Sequence, residues 1–193
     1  LAILDGLTGA YSRGHIEAEL RRLVKGLQRK PGEFSVMLLD VDLFKRVNDR
    51  HGHAVGDEVL RRMTVRVQDT LRGSDLFGRW GGEEFVVVFP GTDLNEAVTV
   101  VERMQLHTPG GQTFSAGVAV LLDTDTAATV VAAADAAMYQ AKATGRNRVV
   151  AAPAMNKASP QAATGVSVGA MPKAAGSTRP AAPVSLVTAI AVR

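Results

Sequence analysis

"SDLFGRWGGEEFVVVFP", residues 74–90, consists of two apolar runs separated by a pair of glycines and a pair of glutamates. A two-glycine turn supplies the positive φ that tight hairpins need, so the flanks read as antiparallel strands joined at Gly81-Gly82. The adjacent carboxylates of Glu83 and Glu84 repel each other, and a strand entering a core has little use for either. The mouth of this hairpin therefore asks for a cation.

Working outward, "FSVMLLDVD" (34–42) is a continuous apolar run, the signature of a strand covered on both faces. Before it, Ser12 can cap a helix whose apolar residues Ile16, Leu20, Leu23 and Leu27 recur at helical spacing. After it come a short helical piece at "FKRVND", a Gly/His turn at "RHGHAVGD", and a longer helix with Val59, Met63, Val67 and Leu71 on one side. Beyond the hairpin the pattern predicts a helix over about 93–107, a strand at "QTFSAGVAVL", a last helix ending near "AKATGRN", and a strand at "RVVAA". From residue 34 the order is β-α-α-β-β-α-β-α-β. One antiparallel pair among crossover connections predicts an α/β (α+β) fold, a mixed central sheet flanked by helices.

Composition bounds the function. The 193 residues carry a net charge of +3, but residues 151–193 hold Lys157, Lys173, Arg179 and Arg193 and no acid. That leaves 1–150 at −1, so no surface for a nucleic-acid polymer is implied. There is no cysteine, which excludes disulfides and thiolate metal sites. No apolar stretch approaches the roughly 20 residues that span a bilayer, and the start lacks a signal-peptide pattern. The chain reads as cytoplasmic, although a longer parent could be membrane-anchored. It lacks an initiator Met, so an upstream regulatory domain is expected to be missing. Residues 151–193 hold five of the eight prolines and none of the aromatics, and they read as a low-complexity, disordered tail behind a domain at 1–150.

The second acidic feature is Asp40 and Asp42, which share one face at the end of the buried strand. If the hairpin pairs beside that strand, Asp40, Asp42 and Glu83 converge at one end of the sheet. Oxygen ligands without His or Cys suit Mg²⁺ or Mn²⁺, hard ions that keep waters and bridge to phosphates. Strand-end Asp residues also serve as turn and cap residues, and spacing alone leaves both readings open. Regular alternation puts Glu83 and Glu84 on opposite faces, so both need not bind metal. Lys45 follows the acids within a helical turn. Lys142 and Arg146 stand four apart at the end of the last helix, as residues sharing a face would, or simply as cations favouring its dipole. Asn48, His53 and Asp57 gather polar groups around a glycine turn. A carboxylate there can accept from guanine's N1–H and 2-amino group.

Five blocks carry a resemblance: "DGLTGAYSR" (5–13), "DVDLFKRVNDRHGHAVGDEVL" (40–60), "RWGGEEF" (79–85), "FSAGVA" (114–119) and "ADAAMYQAKATGRNRV" (134–149). In that order they resemble the signature blocks of the GGDEF domain, the diguanylate cyclase. The resemblance implies a cyclase-palm-like fold that condenses two GTP into cyclic di-GMP, releasing two pyrophosphates, with a homodimer supplying two half-sites. It implies metal binding by Asp40, Glu83 and the main-chain carbonyl of Val41, and proton removal by Glu83, with Glu84 in support. Lys45 would stabilise the transition state. Asn48, His53 and Asp57 would contact guanosine, and Lys142 and Arg146 would hold the terminal phosphates. Gly81 and Gly82 would let backbone approach the nucleotide closely.

"RGSD" (72–75) matches the family's RxxD product-inhibition motif, implying a cyclic di-GMP site at Arg72 and Asp75, with Arg103 as a second arginine. Trp80 and Leu43 replace the more usual Tyr and Phe, and the stretch from Arg103 to Phe114 is shorter than typical. The alternative is a catalytically silent GGDEF module that senses GTP or cyclic di-GMP. Retention of Gly81, Gly82, Glu83 and Glu84 speaks for activity. Asp57 speaks against a mixed guanine-adenine product.

Overall fold

The computed structural model describes residues 2–27, 32–105, 111–121 and 126–153. The tail expected to be disordered lies almost wholly outside the described residues. Eleven elements appear, in the order β1 (Tyr11–Ser12), α1 (Arg13–Leu27), β2 (Phe34–Val41), α2 (Phe44–His51), α3 (His53–Gln68), β3 (Leu76–Gly81), β4 (Glu84–Pro90), α4 (Leu94–Gln105), β5 (Phe114–Val120), α5 (Ala127–Ala143) and β6 (Val149–Ala151).

They form one six-stranded mixed sheet in the order β1-β3-β4-β2-β5-β6. Strand β2 is central, and all eight of its residues are buried, as its uninterrupted apolar run predicts. It is antiparallel to both β4 and β5. With the β3–β4 hairpin this makes three antiparallel pairs where the sequence predicted one. The reason is that α2–α3 and α4 each carry the chain past a neighbouring position, so hairpin strand β4 slots beside β2 instead of a parallel crossover strand. The two edges are parallel pairs, β1 with β3 and β5 with β6. Strand β1 is two residues long, too short to announce itself by periodicity.

Period-2 alternation divides the core between the two faces of the sheet. Met37, Leu39, Val41, Phe85, Val87 and Phe89 pack with Phe44 of α2, Leu60 and Met63 of α3, and Val101 of α4. Val36, Leu38, Val86 and Val88 pack on the other side with Ile16 and Leu20 of α1 and Val130, Ala134 and Met138 of α5. Helix α1 begins directly after Ser12, whose Oγ lies 3.4 Å from the His15 N–H in the expected capping position.

Two glycines set the helix-to-sheet distance on that second face. A Cβ at Gly117 of β5 would lie 2.0 Å from the carbonyl oxygen of Ala134, and one at Gly78 of β3 would lie 2.4 Å from Ile16 Cγ1. Helix α5 therefore rests on bare backbone, and this fixes where its C-terminal turn arrives. Among the described residues, no helix is long and apolar enough to cross a membrane.

Candidate active site

The carboxyl end of β2 delivers Asp40 beside the start of β4. Asp40 is directly opposite Glu84 on one side and Ser115 on the other. The hairpin closes one residue later than expected: Gly81 pairs with Glu84, so the turn residues are Gly82, with φ of +42°, and Glu83. A register shift between Arg79 and Gly81 supplies the extra residue and is the physical cause of the correction. Glu83 thus sits at the tip of the turn. Its carbonyl accepts from the Val41 N–H at 3.2 Å, which presses the tip against the end of β2. Glu84 faces Asp40 across the strands and borders a cavity of about 530 Å³ that Trp80, Arg13 and Asp135 also line.

Lys142, in the last turn of α5, reaches this point: its Nζ is 2.7 Å from Asp40 Oδ2. Burial pushes the Asp40 carboxyl above its ordinary range; Lys142 pulls it back down, and Glu83 and Asp42 add repulsion. Burial likewise raises Glu84, with repulsion from Asp40 adding to it. The site is thus an acidic pocket partly neutralised by one lysine. Among the described residues, no group of three or more His, Asp or Glu side chains is arranged to hold a metal. Two carboxylates and a carbonyl, completed by phosphates and water, nevertheless match what Mg²⁺ takes, and Asp40 already accepts a cation at contact distance. The residues fit a divalent ion.

Asp42 does not join them, contrary to the convergence of three acids expected from spacing. Its carboxylate is filled by the Thr113 and Ser115 hydroxyls, both at 2.7 Å, and the Asn147 N–H at 3.0 Å. Asp42 lies just past the end of β2, where the chain turns into α2 through Leu43 in the left-handed region (φ 56°). It acts as a clamp between the starts of α2 and β5 and the loop after α5.

That loop separates Lys142 from Arg146. Helix α5 ends at Ala143, and Arg146 has φ of 61°, so the two cations do not share a helical face. Gly145 ends the helix in the way the four-residue spacing ignored. The Arg146 N–H closes back on the Ala141 carbonyl at 2.9 Å.

The remaining predicted residues lie on α2 and α3. Lys45 is exposed and pairs with Asp49 at 3.2 Å along α2. Asn48 lies across Gly56, where an added Cβ would meet its Oδ1 at 2.0 Å. Asn48 Oδ1 is buried and has no hydrogen-bond partner. Asp57, the next residue, is half-buried, and His53, first in α3, is exposed. The α2–α3 crossing therefore brings Asn48 up against the Gly56-Asp57 turn of α3.

Arg72 and Asp75 stand apart, in the turn between α3 and β3. The Asp75 carboxylate accepts from the Arg72 N–H at 2.8 Å, and both line a cavity of about 410 Å³ with Tyr11 and Phe77. Among the described residues lining it, Arg103 of α4 does not appear.

Sequence reasoning missed the device that holds the hairpin tip. Arg79 donates from Nη2 and Nε to the Gly82 carbonyl at 2.7 and 3.0 Å, and its guanidinium pairs with Asp5 at 3.2 Å. Asp5 also accepts from the Thr8 N–H and hydroxyl. Burial opposes its charge, but the Thr8 and Arg79 hydrogen bonds outweigh that and hold its carboxyl below the ordinary value. The available signal was an unassigned acid and an unassigned base, one in each of two signature blocks.

The family model for "Diguanylate cyclase, GGDEF domain" matches residues 2–148. The chain belongs to the GGDEF family. Response regulator PleD of Caulobacter vibrioides is similar to it, 40% identical over 163 residues that make up 78% of this chain and 36% of PleD. Probable diguanylate cyclase DgcC of Escherichia coli is 39% identical over 154 residues, 75% of this chain and 42% of DgcC. The chain thus spans well under half the length of these curated relatives. Among solved structures, the GGDEF domain of DgcB from Caulobacter crescentus, crystallised with c-di-GMP, matches with a TM-score of 0.75 and 31% identity. That match covers 79% of this chain and 96% of the DgcB domain. The mixed sheet with helices on both faces is the fold of the GGDEF domain.

Proposed function

We propose that this GGDEF domain is a diguanylate cyclase, condensing two GTP into cyclic di-GMP and releasing two pyrophosphates. The observation that carries this reading is the meeting of three separate segments at one end of the sheet. Asp40 ends β2, the Glu83-Glu84 tip abuts it through the 3.2 Å Val41–Glu83 bond, and Lys142 arrives from α5 at 2.7 Å. The size of the chain relative to PleD and DgcC makes the whole-protein activity a matter for experiment.

In this reading the Asp40 and Glu83 side chains, with the Val41 carbonyl, hold Mg²⁺ or Mn²⁺. Such an ion supplies charge neutralisation at the α-phosphate and makes the 3′-hydroxyl more acidic. Glu83 takes the hydroxyl proton. The 3′-oxygen then forms its bond to the α-phosphorus as the bond to the bridging oxygen breaks, and that electron pair leaves with pyrophosphate. Lys142 and Arg146 hold the departing phosphates, Lys45 offsets charge in the transition state, and Glu84 supports Asp40 from across the strands. Asp57 accepts from guanine's N1–H and 2-amino group, the buried Asn48 Oδ1 gains the donor it lacks, and His53 borders the nucleoside. Gly81 and Gly82, both exposed and without Cβ, leave the backbone open to the nucleotide.

Each chain holds one GTP, so two chains must face each other. An upstream domain would control that meeting. The cavity at Arg72 and Asp75 supports a second, inhibitory site for the product, which Arg103, outside the described lining, would have to reach from α4.

Purified protein with GTP and Mg²⁺ should yield cyclic di-GMP by nucleotide chromatography, and Glu83→Gln should abolish it. A dimer that binds GTP yet forms no product over hours would sink the cyclase reading. Arg72→Ala should raise the final product yield; an unchanged yield with unchanged product affinity would remove the inhibitory site.

A further inference from the structure

The contact between Lys142 and Asp40 carries more than placement. The ammonium occupies a carboxylate oxygen at 2.7 Å, and both side chains are largely withdrawn from solvent, Asp40 being 12% and Lys142 29% exposed. A second cation on that carboxylate would share a poorly screened space with the first and be repelled by it. The helix that carries the lysine is packed closely on the sheet. It is seated on Gly117, where the Ala134 carbonyl and the Met138 N–H leave no room even for a Cβ. The flexible four-carbon stem of Lys142 is therefore the part that moves most cheaply.

We propose that Lys142 is a resident countercation of Asp40 that a divalent ion must displace, so that metal and nucleotide enter as one unit. This rests on the reading of Asp40 as a metal-binding side chain. A divalent ion arriving alone has to break the 2.7 Å Lys142–Asp40 pair and leaves the ammonium with only the longer-range attraction of Glu84 in place of that contact. An ion arriving with a polyphosphate supplies the freed ammonium with anionic oxygens on the spot. The pair therefore makes metal binding and nucleotide binding mutually dependent, and linkage requires each to strengthen the other equally. It also keeps the acidic pocket from retaining divalent ions when no nucleotide is present.

The test measures Mn²⁺ alone by electron paramagnetic resonance at pH 8, on wild type, Lys142→Met, Lys142→Gln and Asp40→Asn, each first checked for native circular dichroism. Both lysine variants should bind Mn²⁺ without nucleotide about tenfold more tightly than wild type. The same variants should bind a non-hydrolysable GTP analogue more weakly and lose most of the enhancement it gives to Mn²⁺ binding. A lysine with only a structural role would weaken both. If both lysine variants bind Mn²⁺ alone no more tightly than wild type, while Asp40→Asn lowers binding, the countercation role is overturned and the metal site stands. If Asp40→Asn leaves Mn²⁺ binding unchanged, the metal reading of Asp40 is itself wrong and the inference falls with it.

Discussion

Gly56 has no side chain, and the space a side chain would take is filled by Asn48. Alanine there would drive a methyl to 2.0 Å from Asn48 Oδ1 and 3.1 Å from Phe44 Cζ. Gly56→Ala should therefore cost about 1–3 kcal/mol in chemical denaturation, as overpacked sites do, and raise the KM for GTP more than it lowers kcat. Asp42→Asn should also be costly, by about 2–3 kcal/mol, because one of its three donors would face an amide N–H₂ instead of an oxygen. Activity and melting temperature should fall together for Asp42→Asn, whereas Glu83→Gln should leave melting nearly unchanged. At this scale the sequence was partly legible. Residue type and spacing were enough to nominate Asp40 and the hairpin acids. They could not show that Asp42, two residues on and on the same face, is saturated by Thr113, Ser115 and Asn147. Those donors lie 71, 73 and 105 residues away, beyond the reach of any local pattern.

The hairpin shows what a whole element adds. Its tip carries Glu83, yet a two-residue turn beside the exposed Gly81 is a poor mount for the base proposed there, which has to be held within fractions of an ångström. Arg79 supplies the rigidity by gripping the Gly82 carbonyl from below while Asp5 fixes the guanidinium. Arg79→Ala should lower kcat about tenfold with little change in GTP affinity, since it loosens the tip without touching the base pocket.

The pH behaviour follows from Asp5. Its folded pKa is depressed, so its contribution to stability is fully present above the unfolded carboxylate value and is lost as pH falls through the folded one. The melting difference between wild type and Asp5→Asn should be constant from pH 5 to 7 and should close below about pH 4. The existence and pairing of the two strands were readable from their apolar runs. The one-residue displacement of the turn was not, because it depends on the bulge at Trp80 and on the Arg79 contact.

Across the described domain, the sheet with helices on both faces brings Asp40, the hairpin tip and Lys142 together at one end of the sheet. If each chain completes only half of the reaction, specific activity must rise with protein concentration. Product formed per milligram should climb steeply from nanomolar to micromolar protein and then level off; a flat profile would argue for a complete site in one chain. Gly117→Ala would act on this same scale. It lifts α5 from the sheet, with an expected cost of about 3 kcal/mol, and should weaken GTP binding by moving Lys142 away. The alternation of strands and helices, the burial of β2 and the family blocks were all legible beforehand. The sheet order was not, because it depends on which neighbour each crossover skips, and that is decided by tertiary packing.

The Asp42 clamp also bears on the order of assembly. One of its donors, the Asn147 backbone, follows α5, so the carboxylate stays incompletely bonded until residue 147 has been synthesised. A nascent chain halted after β5 would contain β2 and the hairpin but neither Lys142 nor the strap that holds it. Of the segments that meet at this end of the sheet, Lys142 and the Asn147 loop are thus the last to leave the ribosome, and until then Asp40 has no countercation.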